Sequence, residues 1–335
     1  MNTFRYFILF ILLYPFITEA QIKTPKDFGF EHIEFIYNKE KVDILIKSKQ
    51  GEENIKKPIL FFCQGSLPQP LIKFDENGLY GVFPFTPEIF LNQFHIVIVG
   101  KPFIPLIAEV KTLGNNYTYT DSTGKVPPVY SVLNHLNYYV NKNIDILKYL
   151  RKQTWVSNEK LIVAGHSEGS TIASMMATQY SSITHLIYSG GNPMGRIMSI
   201  IQQRRVEEND SLRLAEMEFD YWKEIVSNQE SQTIENGDSY KTTYGFSVPV
   251  HPHLLKLNIP TMITYGTKDW NTPYIDFLRA EALRLNRTNM TFKAFIGTEH
   301  NYFPLNNDGK PNYNIYNWDN VATDWLNWIN KNSIK

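Results

Sequence analysis

The feature that most limits the fold is an alternation that begins at residue 58. A short, mostly apolar run is followed by glycine or a polar turn, then by a segment with helical periodicity. The runs are 58–63, 95–99, 160–164, 185–188, 260–265 and 291–296, and glycines stand after them at Gly100, Gly165, Gly190, Gly266 and Gly297. Continuous apolar runs of ~4–8 residues suit strands buried on both faces, the usual state of parallel strands. Between them, 130–154 carries Leu133, Leu136, Val140, Ile144, Leu147 and Leu150 at i, i+3, i+4 spacing. Segments 170–180, 273–285 and 317–330 are also expected to be helical. Near the start, 30–37 and 42–47 flank the polar turn Asn38-Lys39-Glu40-Lys41 and read as an antiparallel hairpin. The fold class that follows is α/β: a mostly parallel, twisted sheet flanked by helices on both faces.

Two stretches break the alternation. Residues 102–129 form a long loop with Asn115, Asn116, Gly124, Pro127 and Pro128; loops of that length in a compact domain are usually functional or mobile. Residues 192–258 separate two strands, and the part from 198 to 222 is helical in pattern and rich in charge (Arg204, Arg205, Glu207, Glu208). This segment is expected to be an inserted helical cap, with Ile200, Ile201, Leu212 and Leu214 turned toward the body. The expected division is a core of 21–191 and 259–335 with the cap at 192–258.

The first 20 residues follow a different logic. Arg5 precedes an apolar run from Tyr6 to Ile17, interrupted by Pro15, and Thr18-Glu19-Ala20 puts small residues at −3 and −1 of a cut after Ala20. That is the order of a secretory signal peptide, in a run shorter than the ~20 residues of a spanning helix. The expectation is a secreted or periplasmic protein starting at Gln21, with no stable membrane insertion after the cut.

Composition removes other classes. Lys plus Arg and Asp plus Glu are both 33, a net charge of zero. Such a chain lacks the basic footprint for phosphate backbones, so no nucleic-acid partner is expected. Cys63 is the single cysteine, which excludes an intrachain disulfide and any zinc site needing two or more cysteines. No metal and no cofactor are expected. His251-Pro252-His253 lacks a second group of ligands nearby in sequence.

The chemistry is concentrated at Gly165-His166-Ser167-Glu168-Gly169. The pattern G-x-S-x-G lies between an apolar run and a helical segment, the strand–turn–helix setting of a nucleophile elbow. Chance gives on the order of 0.05 matches in a chain of this composition. The turn lifts the serine above the sheet, and backbone comes so close that glycine is required on each side.

On these residues the chain resembles the α/β-hydrolase superfamily of serine hydrolases, and the resemblance covers nearly all of residues 21–335. It implies an α/β-hydrolase fold and a triad in the order Ser, Asp or Glu, His. Ser167 is the expected nucleophile. Asp269, in Tyr265-Gly266-Thr267-Lys268-Asp269 after a strand, is the expected acid, with Asp276 a poorer candidate. His300 follows the last strand and is the one histidine after Asp269, hence the expected base. The oxyanion hole is expected from the backbone N–H of Glu168 and, by likeness of Phe62-Cys63-Gln64-Gly65-Ser66 to the family's His-Gly-x segment, that of Ser66, with Gly65 as the alternative. The Glu168 side chain either meets a substrate amine or hydroxyl or, more simply, is solvated or paired with a cap residue. Tyr117, Tyr119, Tyr221 and Trp222 are candidate pocket linings. The resemblance implies hydrolysis of a carboxylic ester in a small-molecule or peptide substrate. A serine peptidase of aminopeptidase type and a non-catalytic binding protein on the same fold stay open, because the triad is shared and fold alone does not prove function. Oligomeric state is not legible.

Overall fold

The computed structural model describes residues 23–332 other than 210 and 236, so the expected signal peptide and its cut after Ala20 lie outside the described residues. In chain order the strands are β1 (Glu31–Tyr37), β2 (Glu40–Lys47), β3 (Lys57–Cys63), β4 (Ile72–Asp75), β5 (Gly78–Tyr80), β6 (His95–Val99) and β7 (Ile107–Glu109). They continue with β8 (Val156–His166), β9 (His185–Ser189), β10 (Ile234–Glu235), β11 (Asp238–Ser239), β12 (Thr261–Gly266) and β13 (Met290–Phe295). The helices are α1 (Glu88–Leu91), α2 (Pro128–Leu133), α3 (Leu136–Leu150), α4 (Glu168–Gln179), α5 (Arg196–Glu207), α6 (Leu214–Ser227), α7 (Tyr240–Phe246), α8 (His251–Lys256), α9 (Thr272–Arg284) and α10 (Trp318–Lys331).

Eight strands form the central sheet in the order β1-β2-β6-β3-β8-β9-β12-β13. The β1–β2 and β2–β6 pairs are antiparallel. All other neighbours are parallel. The apolar runs behave as period-2 chemistry requires. Phe61, Val97, Val163, Leu186 and Ile263 face one core with α3, α4, α8 and α9. Their strand neighbours Phe62, Ile98, Ile162, Ile187 and Met262 face the other, with α1 and α10. Both faces are buried, which is why the strands read as unbroken apolar runs rather than alternating ones.

Three parts differ from the sequence reading. The expected helix 130–154 is two helices, because Asn134 leaves helical geometry (ψ 70°) and His135 caps α3 by accepting the Tyr138 N–H at 3.3 Å. Asn134 is held there by its side chain, which donates to Asp238 (3.0 Å) and accepts from Tyr139 (2.8 Å). Second, the 102–129 loop contains β7, which pairs with β4 and, through it, β5 in a small sheet. Those strands are three or four residues long, too short for a periodicity to show.

Third, residues 192–258 divide. A small cluster of Ile197, Ile201 and Ala215 joins α5 to α6, and the β10–β11 hairpin follows. Phe246, Val250, Leu254 and Leu257 instead belong to the main core. Leu212 is 53% exposed rather than turned inward; it sits in the turn before α6, where the Asn209 carboxamide accepts the Ser211 and Leu212 N–H groups.

Trp325 on α10 is fully buried, lies edge-on to Phe85 and Trp318, and points its indole N–H toward the Thr264 hydroxyl at 3.4 Å. Truncation there leaves a ring-sized void beneath the sheet. Trp325→Ala is expected to lower the unfolding free energy by ~3–5 kcal/mol, measured as a fall in the urea midpoint at unchanged slope.

Candidate active site

The turn from β8 to α4 is built by close approach. A Cβ on Gly165 would lie 2.0 Å from the Gly169 carbonyl oxygen, and one on Gly169 would lie 2.0 Å from that of Cys63. Neither contact is tolerable, so glycine is the only residue that lets α4 begin against the end of β3. Between them Ser167 adopts φ 57°, ψ −126°, a region costly for any side chain. It is pinned by its N–H to the Ser189 carbonyl (2.9 Å) and by its carbonyl, which accepts the Ser170 N–H (3.0 Å) and hydroxyl (2.6 Å).

The other two residues come from neighbouring loops. A Cβ on Gly266 would lie 2.3 Å from the Glu299 carbonyl oxygen, so the loops after β12 and β13 are pressed together where Asp269 and His300 project. His300 Nδ1 is 2.7 Å from Asp269 Oδ2, and His300 Nε2 is 3.0 Å from Ser167 Oγ. A carboxylate only accepts, so Nδ1 carries the proton and Nε2 is free to accept the serine hydroxyl. The Asp269 side chain is 0% exposed, and its other oxygen accepts the Asn271 N–H at 2.9 Å. Glu299 is occupied in holding its own turn, accepting the Asn301 and Phe303 N–H groups at 2.8 and 3.0 Å. Asp276, on α9, accepts from the Tyr265 hydroxyl at 3.4 Å.

The His300 ring packs against two aromatic neighbours. His166 lies 4.9 Å away between centroids, and Trp270 stacks nearly parallel at 5.4 Å. His166 is buried, touches Ser189 and Asn301 at 3.1 and 3.2 Å, and meets Trp318 edge-on. Burial, and then the His300 charge, hold the His166 imidazole well below its ordinary value, so it stays neutral beside His300. For His300 itself burial pulls the pKa down, but the hydrogen bond and charge of Asp269 outweigh it and leave the pKa raised.

Glu168 is the first residue of α4, where backbone N–H groups are free of intrahelical partners. Ser66 lines the same pocket. Gln64, where the resemblance has histidine, donates to the Val99 carbonyl (2.7 Å) and ties the β3 end to β6. Lys101 donates to the Ser66 carbonyl at 2.7 Å, and the Tyr130 hydroxyl reaches it at 3.3 Å. Cys63 is buried packing beside Met176, and desolvation pushes its thiol well up.

The Glu168 side chain, 3% exposed, is paired rather than solvated. Arg196 of α5 bonds it directly and also reaches Asp238 at 2.5 Å, while Lys101 approaches at 3.8 Å. The Arg196 guanidinium lies over the Phe246 ring at 4.7 Å. Burial pulls Lys101 down to about 7. Lys101, Arg196, Asp238 and Trp270 were not legible as site residues. Lys101 and Trp270 at least stand within a few residues of a strand's C-terminal end; Arg196 and Asp238 carry no such mark.

Ser167, Glu168, Trp270 and His300 open into a cavity of about 200 Å³, roofed by Arg196, Ser199, Ile200 and Gln203 of α5. Of the four expected linings, none borders it. Tyr117 packs on Tyr80, and Trp222 stacks on Tyr244. Tyr221 lines a neighbouring cavity. The 102–129 loop supplies no residue to the Ser167 pocket, because β7 ties it into the small sheet. Among the described residues, one group has donor atoms close enough for a common ion: His32, Glu34 and Asp43, on the outer hairpin. There His32 bonds Asp43 and Glu34 pairs with Lys41.

The raised His300 pKa has a measurable sign. By NMR, His300 in the wild type should titrate above the ordinary ~6.5 of histidine, and Asp269→Asn should move that midpoint down. A wild-type midpoint below 6.5 would show burial, not Asp269, in control.

No family model matches the sequence, and no curated protein matches it either. Solved structures do match. The acylaminoacyl peptidase of Pyrococcus horikoshii superposes with a TM-score of 0.54 at 15% identity over 92% of this chain. This chain spans 42% of that peptidase's length. Est1E from Butyrivibrio proteoclasticus gives a TM-score of 0.50 at 14% identity, covering 90% of this chain and 99% of its own. A 2,6-dihydroxy-pseudo-oxynicotine hydrolase gives 0.52 at 12% identity, covering 91% and 68%. With the strand order and the β8–α4 turn these likenesses agree: the chain has the α/β-hydrolase fold.

Proposed function

We propose that the protein is an exported serine hydrolase that cleaves a carboxylic ester through an acyl-enzyme. The observation that carries the reading is His300 bridging Ser167 and Asp269 at 3.0 and 2.7 Å. Serine is a weak nucleophile until a base takes its proton. Ser167 Oγ attacks the ester carbonyl as His300 Nε2 accepts the hydroxyl proton, and Asp269 stabilises the imidazolium through Nδ1. The Glu168 and Ser66 N–H groups bond the developing oxyanion. Collapse breaks the C–O bond, and His300 returns its proton to the departing alkoxide. Water, deprotonated by His300, then cleaves the acyl-serine.

The likeness to an acylaminoacyl peptidase keeps a peptidase reading in play, since the same triad cleaves amides. An ester series run beside aminoacyl amides separates the two: faster turnover of the amides at equal leaving-group activation overturns the ester reading. A fluorophosphonate should label the wild type and not Ser167→Ala; an unlabelled wild type overturns the hydrolase reading in favour of a binding protein. Asp269→Asn should cut kcat by on the order of 10⁴ through the wrong tautomer. For residues 1–20, mass spectrometry of exported protein should show a chain starting at Gln21; a soluble exported chain starting at Met1 overturns the cut.

A further inference from the structure

Resting on the hydrolase reading, we propose that the pocket at Ser167 selects a short, neutral substrate arm bearing a hydroxyl or amide, which Gln203 of α5 hydrogen-bonds, and disfavours unbranched hydrocarbon chains.

The wall chemistry carries this. Apart from Ile200, Phe246 and Trp270, the residues lining the cavity are glycines or carry polar side chains. Phe246 is itself covered by the Arg196 guanidinium. About half of the lining surface is polar, and an alkyl chain laid along it would strip water from those groups without replacing their bonds, which offsets what it gains on the apolar remainder. The cavity of about 200 Å³ is also smaller than the ~300–1,000 Å³ of pockets that enclose larger ligands.

The charges that border it are already spent on one another. Arg196 and Glu168 pair with each other, and Arg196 also pairs with Asp238. A charged substrate would have to break a buried pair and leave its partner alone, which is strongly unfavourable. Neutral donors and acceptors face no such obstacle.

Gln203 is the group left to meet them. Arg196, Ile200 and Gln203 are spaced i, i+4, i+7 on α5 and share one helix face. That face borders both the Ser167 cavity and a second one of about 240 Å³, lined also by Tyr221 and Thr243. Gln203 borders both cavities. Among the described residues none holds its side-chain amide in a hydrogen bond. A half-buried amide offers a donor and an acceptor at once, the complement of a neutral amide or hydroxyl.

The test uses 4-nitrophenyl esters of 4-acetamidobutyrate and heptanoate, arms of similar length that differ in the amide, with acetate as reference. In the wild type kcat/KM for 4-acetamidobutyrate should exceed that for heptanoate at least tenfold. Gln203→Leu, checked for an unchanged thermal midpoint, should narrow that ratio by roughly 3–10-fold, as the loss of one neutral hydrogen bond requires. Heptanoate turned over as well as 4-acetamidobutyrate, in protein that hydrolyses acetate and is labelled by a fluorophosphonate, overturns the polar-arm inference and leaves the hydrolase reading standing. A preserved ratio in folded Gln203→Leu overturns the role of Gln203. No labelling and no turnover of any ester overturns the hydrolase reading, and this inference with it.

Discussion

The approach of α4 to the end of β3 is the contact on which the site depends. With the Gly169 Cβ direction occupied by the Cys63 carbonyl and that of Gly165 by Gly169 itself, the chain can turn from β8 into α4 within a single residue. That residue, Ser167, is left with positive φ and its side chain raised above the sheet. The strain is local, and the buried surroundings of β3, β8 and β9 oppose its relief. One steric fact thereby aims the hydroxyl, exposes the first N–H of α4 beside it and brings Gly65 and Ser66 alongside.

The same device recurs at the second turn. Gly266 has backbone from the β13 loop where a side chain would stand, so the carboxylate and the imidazole arrive from different loops yet meet at hydrogen-bond distance. His166 and Trp270 then pack against the His300 ring. Of these two, His166 is held neutral by burial. A charged ring there would oppose protonation of His300; a neutral one packs without doing so.

Over this floor α5 is tied by charge, while α7 and α8 of the same segment join the main core through Phe246 and Leu254. The cluster joining α5 to α6 is small, whereas Arg196 links α5 to α4 through Glu168 and to the hairpin through Asp238. Ser199 adds a second tie, donating to the Asn271 carboxamide at 2.7 Å, while the Asn271 N–H supports Asp269. Ser199 of α5 and Asp269 therefore share Asn271 as a partner. A buried pair of this kind adds little net stability but is costly to break from one side, which suits an element that must keep one register over a site.

Local chemistry made much of this legible. Apolar runs buried on both faces announce parallel strands; G-x-S-x-G has a steric meaning that no neighbour can alter; and chain order after Asp269 leaves His300 as the one histidine available. What sequence order could not supply is proximity between segments far apart along the chain. Asn134 breaking the expected helix depends on Asp238, 104 residues away. The 102–129 loop is drawn from the pocket because three short strands, each too brief to show a period, find one another. Glu168 became a buried partner of Arg196 and Lys101 because the sheet order sets the ends of β6 and β8 either side of β3 and the cap returns over them. Propensity and sterics act within a few residues and are written in sequence; ion pairing, burial and pocket shape are sums over neighbours that exist only once the chain has folded.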